Sequence, residues 1–309
     1  MVLKVREFLE LIRFSHTVFA LPFALLGAVL ALTVPLPGNA APSFELTWPQ
    51  VGLRLVGIVL CMFFARSAAM AFNRLVDADI DGKNPRTAER HLPSGRLSRG
   101  GVWGFFAAMV GLFCGSCTLF LPNWIPLAGA LPVLVLICGY SLAKRFTAAA
   151  HLWLGTALAA SPLCAWLAMR GEVVQVDPSD IGPMIVLGAA IACWVAGFDI
   201  IYACQDADFD RQQGLHSLPA RLGVAGALRL AAGFHLGMLL ILATLPWLFP
   251  QLRLGSLFAV ALTAAGVLVV VQHRLVSPTD LRRVNVAFFN VNALISFGLS
   301  LAIALDAWA

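Results

Sequence analysis

The sequence predicts an all-α membrane protein, a bundle of about nine transmembrane helices. Of its 309 residues, 60% are hydrophobic and 12% are charged, whereas a typical soluble domain has about a quarter of its residues charged. The mean hydropathy of +0.86 agrees with this composition. Apolar runs of about 20 residues recur along the chain, and they are far longer than the strands of a membrane barrel. A soluble enzyme is therefore excluded, and a helical bundle is expected.

The apolar runs are long enough to cross a hydrocarbon core of about 30 Å. The predicted spans are Ser15 to Val34, Val51 to Phe72, Gly101 to Leu121, Trp124 to Leu142, Ala148 to Met169, Ile181 to Ala203, Ala225 to Leu248, Leu254 to Val271 and Val284 to Leu305. The first run is too long for a cleaved signal peptide and follows a charged amphipathic stretch. Almost no sequence is left over, so we expect a single domain over residues 1–309.

The basic residues indicate how the chain is oriented in the membrane. Of the 21 lysines and arginines, only Arg54, Arg170 and Arg253 fall on one side of a nine-span alternation, and Arg66 lies inside the second span. All the others fall on the opposite side, and positive charge is retained in the cytoplasm. The sequence thus predicts a cytoplasmic N-terminus. We therefore attribute the net charge of +5 to the orientation of the protein in the membrane, and not to nucleic-acid binding.

Two short acidic stretches stand at predicted cytoplasmic helix ends. The polar residues concerned are Asn73, Asp77 and Asp81 in the first stretch, and Asp199, Asp206 and Asp210 in the second. Steps of four and seven residues place each set on one face of a helix. Two such carboxylate ridges repel each other, and burying a charge costs about 2.5 to 3.5 kcal/mol on the membrane-insertion scale. Because Mg²⁺ prefers carboxylate oxygens and is often shared with substrate phosphates, the ridges predict a magnesium–diphosphate site. Asp79 and Asp208 point off the ridges and are predicted to be solvated.

Basic side chains lie beside these acids, as the binding of a diphosphate requires. They are Lys83, Arg86 and Arg90 after the first stretch, and Lys144 and Arg145 at the end of the fourth span. Arginine donates forked hydrogen bonds that fit phosphate oxygens. Arg66 is a further candidate, because a charge inside a span usually faces a cavity or a partner.

At these residues the sequence resembles the UbiA family of intramembrane aromatic prenyltransferases. The family's first signature, Asn-x-x-x-Asp-x-x-x-Asp, is matched by Asn73, Asp77 and Asp81. The second, Asp-x-x-Tyr-x-x-x-Asp-x-x-x-Asp, is matched by Asp199, Tyr202, Asp206 and Asp210. Two further features look like those of the family. One is the run from Arg86 to Gly95, and the other is Tyr140 together with the run from Lys144 to Thr147. The opening segment, Ile12 to Phe23, is similar to the 4-hydroxybenzoate polyprenyltransferase branch, while Arg74 stands where the family often has Asp.

The resemblance implies Mg²⁺-dependent transfer of a polyprenyl group from a polyprenyl diphosphate to an aromatic acid. The acceptor would be 4-hydroxybenzoate or a related hydroxynaphthoate, in ubiquinone or menaquinone biosynthesis. The implied magnesium ligands are Asp77, Asp81, Asp206 and Asp210, with Asn73 assisting. The implied catalytic residues are Asp199, Tyr202, Tyr140 and Arg66, of which Asp199 would position the acceptor or favour its reactive phenolic form. The implied substrate-binding residues are Lys83, Arg86, Arg90, Lys144, Arg145, His216 (where the family often has Lys) and His16.

Other classes of function remain open alongside this one. A secondary transporter also has intramembrane acids, although those lie near the midplane, whereas these gather at helix ends. A CDP-alcohol phosphotransferase has a single Asp-rich motif of different Gly and Asp spacing, which nothing in this sequence matches. Within the family that the sequence resembles, haem farnesylation and chlorophyll-type prenylation remain possible. His151 and His235 are predicted to be packing residues. We expect a multi-pass protein of a bacterial inner membrane, with its active site on the cytoplasmic side.

Overall fold

The computed structural model describes residues 7–8, 10–11, 21–38 and 44–309. Within these residues the chain is helical, and one isolated β-bridge joins Ser277 and Asp280. The helices are α1 (Leu21–Thr33), α2 (Trp48–Asp81), α3 (Arg99–Cys117), α4 (Ile125–Ala143), α5 (Ala150–Val176), α6 (Gly182–Ala203), α7 (Ala207–Gln212), α8 (Leu218–Leu248), α9 (Ser256–Arg274) and α10 (Val284–Trp308). Helix α10 contains a π-helical turn over Ala287–Val291.

The described helices confirm the predicted class of an all-α membrane protein. Eight of them, α2 to α6 and α8 to α10, are long and apolar enough to cross a membrane, and α1 is a shorter apolar helix of 13 residues. The first predicted span starts at Ser15, and its residues before Leu21, including His16, lie outside the described residues.

Helix α2 carries the first acidic stretch as far as its last residue. It starts after Thr47, whose backbone N–H donates to the Gln50 side chain at 2.9 Å, a contact that satisfies one of the free donors of a helix start. The helix has 34 residues and continues past Phe72, where the predicted span ends. The steps of four residues from Asn73 to Asp81 are therefore helical, as predicted.

Helix α6 lies at the centre of the bundle, between α5 and α8. Gly155 of α5 permits the closest backbone approach to it, because a Cβ atom at Gly155 would lie 2.3 Å from the carbonyl oxygen of Ala192. Small residues let membrane helices pack backbone against backbone in this way. The approach brings the first turn of α5 next to the last turns of α6.

We expect Gly155→Val to lower the stability of the protein by about 1–3 kcal/mol, the usual cost of overpacking a core. The added methyl groups must push α5 away from the backbone of α6. Thermal unfolding of the detergent-solubilised protein measures the effect. Gly111→Val in α3 is the matched control, because a Cβ atom there meets nothing within 4 Å; equal unfolding midpoints for the two variants would contradict the close contact.

A buried ion pair holds the opposite end of α5. Arg170 is fully buried and donates to Asp180 at 2.5 Å and to the carbonyl oxygen of Val34 at 3.0 Å. The pair therefore ties α5 to the chain that follows α1 and to the turn before α6. Nearby, Arg54 of α2 pairs with Glu172. Two of the three basic residues on the predicted outer side, Arg54 and Arg170, are thus buried and paired, whereas Arg253 is exposed. Burial with a partner is how charges are tolerated in a membrane protein.

Candidate active site

The two acidic stretches lie at the same end of the bundle. Arg54 near the start of α2 and Asp77 near its end are separated by about 35 Å along the helix axis, at about 1.5 Å per residue. The loop between α2 and α3 then reaches the second stretch, where the Asn84 amide donates to Asp206 at 3.1 Å. Residues from both stretches consequently share one site.

Asp77 is buried and is surrounded by donors, with 4% of the residue exposed. Its carboxylate accepts hydrogen bonds from Asn73 Nδ2 at 3.0 Å and from Arg145 Nη2 at 3.2 Å. The Nζ atom of Lys144 lies 3.8 Å from the same carboxylate. The two basic residues that follow α4 are therefore both directed at the first acidic stretch, and their predicted contact with a diphosphate stays a prediction.

Asp81 pairs with an arginine from the loop that follows it. Arg90 Nη1 lies 2.8 Å from each carboxylate oxygen, and Asp81 is 6% exposed. The loop is closed by Thr87, whose hydroxyl donates to the Asp81 carbonyl oxygen at 3.0 Å. Gly95 has a φ of 75°, a left-handed conformation that favours glycine. This folding of the loop returns Arg90 to the end of α2.

Asp206 pairs with Arg86, which connects the two stretches. Arg86 Nε donates to Asp206 Oδ1 at 2.9 Å, and its Nη2 donates to Oδ2. Burial disfavours the Arg86 charge, but the hydrogen bond and attraction to Asp206 outweigh this and raise the pKa of the guanidinium. Arg86 also donates to the Tyr202 hydroxyl at 3.3 Å, and its Cζ lies 5.6 Å from the centre of that ring. The Arg86 guanidinium is thus held between the two acidic stretches, and such a forked, charged donor can bind phosphate oxygens.

The second acidic stretch is not one regular helix, and in this the predicted continuous ridge is wrong. A 3₁₀ turn at Cys204–Asp206 interrupts the chain between α6 and α7. Asp199 therefore lies on α6, while Asp210 lies on α7, where it is 6% exposed and interacts electrostatically with Lys144. A 3₁₀ turn has about three residues per turn and weaker hydrogen bonds, and at this turn Asn84 and Arg86 donate to the Asp206 carboxylate.

Asp199 has a partner that the sequence did not predict. His151, in the first turn of α5, places Nδ1 2.6 Å from Asp199 Oδ2. The interpretation of His151 as a packing residue is therefore wrong, although it is buried, with 5% exposed. The sequence did contain a signal for this pair: His151 is a polar residue in an apolar helix, shortly after Lys144 and Arg145. Polar groups in membranes usually pair with one another.

The other predicted catalytic residues are gathered in two places. Tyr202 lies under Arg86, as described above. Tyr140 of α4 and Arg66 of α2 are electrostatic neighbours. Arg66 Nε is buried and has no hydrogen-bond partner in the described structure. An unpaired buried donor is costly, so Arg66 offers an N–H group that a ligand could satisfy.

Lys83 and His216 lie at the edge of the site. Both are exposed, and no side-chain hydrogen bond or ion pair is found for either within the part of the chain that the structure describes. The backbone N–H of His216 donates to the carbonyl oxygen of Lys144 at 2.7 Å, which places it beside the site. Their roles in substrate binding stay predictions, as does that of His16, which is outside the described residues.

The two aspartates predicted to be solvated are solvated. The Asp79 side chain is 81% exposed and pairs with Arg99. The Asp208 side chain is 86% exposed and lies 3.0 Å from Arg211. Each acidic stretch therefore contains one exposed aspartate, while its other aspartates are buried or half-buried.

The oxygen atoms that could ligate a metal at this site suit a hard divalent cation. They are the amide oxygen of Asn73 and the carboxylates of Asp77, Asp81, Asp206 and Asp210. All are oxygen ligands, the kind that Mg²⁺ requires, and basic side chains already neutralise these buried acids. Among the residues described, the one group of three potential ligands within 4.8 Å of one another is elsewhere, at Glu7, Glu10 and His91. Arg96 lies 3.5 Å from Glu7, so that group is a mixed cluster of ion pairs.

Comparisons with known proteins match most of the chain to one family. The profile of the UbiA prenyltransferase family matches residues 18–294. A 4-hydroxybenzoate octaprenyltransferase of Chromohalobacter salexigens is 29% identical over 84% of this chain and 82% of its own length. The mitochondrial 4-hydroxybenzoate polyprenyltransferase of Aedes aegypti is 35% identical over 52% of this chain, and the match spans 35% of that longer protein.

Solved structures show the same fold. A UbiA homologue from Aeropyrum pernix is 30% identical, with a TM-score of 0.75 over 94% of this chain and 98% of its own. A UbiA homologue from Archaeoglobus fulgidus, solved bound to GPP and Mg²⁺, is 17% identical, with a TM-score of 0.65 over 96% of this chain and 99% of its own. At that identity the second likeness concerns the fold alone.

Proposed function

Because the chain belongs to the UbiA prenyltransferase family and is a prenyltransferase, we propose that it transfers a polyprenyl group from a polyprenyl diphosphate to 4-hydroxybenzoate or a related hydroxynaphthoate. The reaction would depend on Mg²⁺ and would serve ubiquinone or menaquinone biosynthesis. The names of the relatives in Chromohalobacter and Aedes support the acceptor class.

One observation carries this proposal: Arg86, from the loop after the first acidic stretch, binds Asp206 of the second. A diphosphate with its metal ions needs carboxylates and forked donors alternating within a few ångströms. The pairs of Arg90 with Asp81 and of Arg145 with Asp77 repeat this alternation. A transporter is less well supported, because these acids are near helix ends and not at the midplane.

Departure of the diphosphate is the step that the acidic end of the bundle would assist. Bound Mg²⁺ would supply a Lewis acid that neutralises the leaving group. Asn73 and the four buried or half-buried aspartates of the two stretches would hold it. Arg86, Arg90, Lys144 and Arg145 would move from the carboxylates towards phosphate oxygens and stabilise the charge that develops on them. Lys83 and His216 would contact the same group from the rim.

The acceptor would lie on the Asp199 side of the site. The allylic carbon would lose its bond to the diphosphate oxygen and form a bond to a ring carbon next to the phenolic hydroxyl, and the ring proton would then pass to the released diphosphate. Asp199 would orient that hydroxyl by accepting its hydrogen bond, which makes the ring more electron-rich, while Arg66, with its unpaired Nε, would bind the acceptor carboxylate. Tyr140 and Tyr202 would line the ring. The apolar helices would hold the prenyl chain and exclude water from the reactive carbon.

We propose that this site faces the cytoplasm, and the distribution of basic residues supports that orientation. A bacterial inner membrane, with the N-terminus inside, is the location that we propose.

We expect membranes containing the protein to prenylate one of the two acceptor classes in the presence of Mg²⁺ and a polyprenyl diphosphate. Products from 4-hydroxybenzoate and from a dihydroxynaphthoate are separated by liquid chromatography and assigned by mass. Chelation with EDTA should abolish product, and added Mg²⁺ should restore it. Membranes from cells with the empty vector are the control.

Product that persists in excess EDTA would contradict the magnesium dependence. Absence of a prenylated product from either acceptor, with correctly inserted protein, would overturn the proposed reaction.

A further inference from the structure

We infer that His151 is a positioning residue for Asp199, whose carboxyl group it holds with one oxygen directed at the phenolic hydroxyl of the acceptor. This inference rests on the proposed function and deepens it, because it adds a residue that the signatures of the sequence do not contain. It is carried by a hydrogen-bonded chain that links three helices through the buried imidazole ring.

The contacts of the ring determine its tautomer. The backbone N–H of Leu218, at the start of α8, donates to His151 Nε2 at 3.4 Å. A neutral imidazole has one donor and one acceptor nitrogen, so Nε2, as the acceptor, leaves the proton on Nδ1. Nδ1 therefore donates to Asp199 Oδ2 over the short distance of 2.6 Å.

The surroundings leave the ring little freedom. The His151 side chain is 6% exposed, whereas the Asp199 side chain is 23% exposed. The close approach of Gly155 to α6 fixes the distance between the helices that carry the two residues. The histidine is thus enclosed, while its acid partner stays open to the site. This is the arrangement expected of a residue that orients a base rather than one that meets substrate.

The remaining oxygen of Asp199 is free for the acceptor. In the described part of the chain, His151 is the one side chain that hydrogen-bonds to Asp199. With Oδ2 occupied, Oδ1 can accept a hydrogen bond from a phenolic O–H group. The same ring also touches the start of α8, just after the loop that leads from Asp210. A side chain that fixes the tautomer and orientation of a catalytic partner acts on rate without touching substrate.

The experiment compares His151→Asn with His151→Gln. The amide nitrogen of asparagine can occupy about the place of Nδ1, while that of glutamine extends to about the place of Nε2, so only asparagine can donate to Asp199. For His151→Gln and His151→Ala we expect kcat to fall about 10- to 100-fold, from the loss of a hydrogen bond to a charged group. The KM for the aromatic acceptor should rise, and the KM for the prenyl diphosphate should stay unchanged. His151→Asn should recover most of the activity.

Thr156→Ala, an exposed position on the same helix, is the control for changes to α5, and thermal unfolding checks that each variant is folded. Asp199→Asn supplies the second test: His151→Ala should cost little further activity in that background, because the two residues act as a unit.

Equal activity of the asparagine and glutamine variants, or full additivity with Asp199→Asn, would overturn the positioning role while leaving the proposed reaction in place. A rise in the KM for the prenyl diphosphate alone would do the same. A wild-type protein that prenylates no phenolic acceptor would overturn both the reaction and this inference.

Discussion

Replacing Asp206 or Asp77 by asparagine should lower prenyl transfer by about 100- to 1000-fold or more, the scale of losing one preorganised electrostatic contact to a transition state. Each change removes one negative charge and keeps the shape of the side chain. With Asp206 neutral, Arg86 also loses its charged partner. Turnover of a polyprenyl diphosphate at saturating acceptor and Mg²⁺ measures the loss.

The chain supplies a matched control for each variant. Asp208→Asn is two residues from Asp206, and Asp79→Asn is two residues from Asp77, but both of these aspartates are exposed. They change the net charge by the same amount without touching the buried acids. We expect their turnover to equal that of the wild type. If exposed and buried variants were equally active, the assignment of the buried carboxylates to metal and diphosphate would be wrong.

Replacing Asp180 by leucine should destabilise the protein by about 3–5 kcal/mol, because it leaves the Arg170 charge buried without its counter-ion. The loss includes the hydrogen bond from the Trp166 indole to Asp180, at 3.0 Å. The midpoint of unfolding in mixed detergent measures the change. Because this pair lies at the far end of α5, the KM values of the protein that stays folded should not change.

The double variant Arg170→Leu with Asp180→Leu separates charge from packing. Removing both charges avoids an unpaired ion, and apolar replacement of a buried pair is often neutral. Arg170 also donates to the carbonyl oxygens of Val34 and Ala31, at 3.0 and 3.4 Å, and these acceptors would lose a partner. We therefore expect the double variant to recover only part of the lost stability. A single Asp180→Leu variant as stable as the wild type would contradict this account.

The sequence was sufficient for the features that depend on local periodicity. Long apolar runs predicted the helices because a membrane requires every backbone group to be bonded within a helix. The four-residue steps from Asn73 to Asp81 predicted which acids of the first stretch are buried. They also predicted that Asp79 is solvated, since Asp79 lies on a different face of the helix from Asp77 and Asp81.

Features that depend on pairs distant in sequence could not be predicted. Asp199 and His151 lie on different helices, and no periodicity indicates that they meet. The pairing of Arg86 with Asp206 depends on how the loop after α2 folds back. The 3₁₀ turn at Cys204–Asp206 was also missed, because the spacing of the aspartates is compatible with a regular helix and gives no sign of the turn. Tertiary partners decided the outcome at each of these positions.

The length of α2 bears on where the proposed substrate would meet the protein. About two thirds of the helix is enough to cross a hydrocarbon core of about 30 Å, so its acidic turns would emerge among the lipid headgroups of the proposed bilayer. A polyprenyl diphosphate is itself an amphiphile, with a tail dissolved in one leaflet and a charged head in that zone. Encounter is then lateral diffusion in two dimensions. The rate of the proposed reaction follows the mole fraction of this amphiphile among the lipids, and dilution with more lipid slows it even when the bulk concentration is constant.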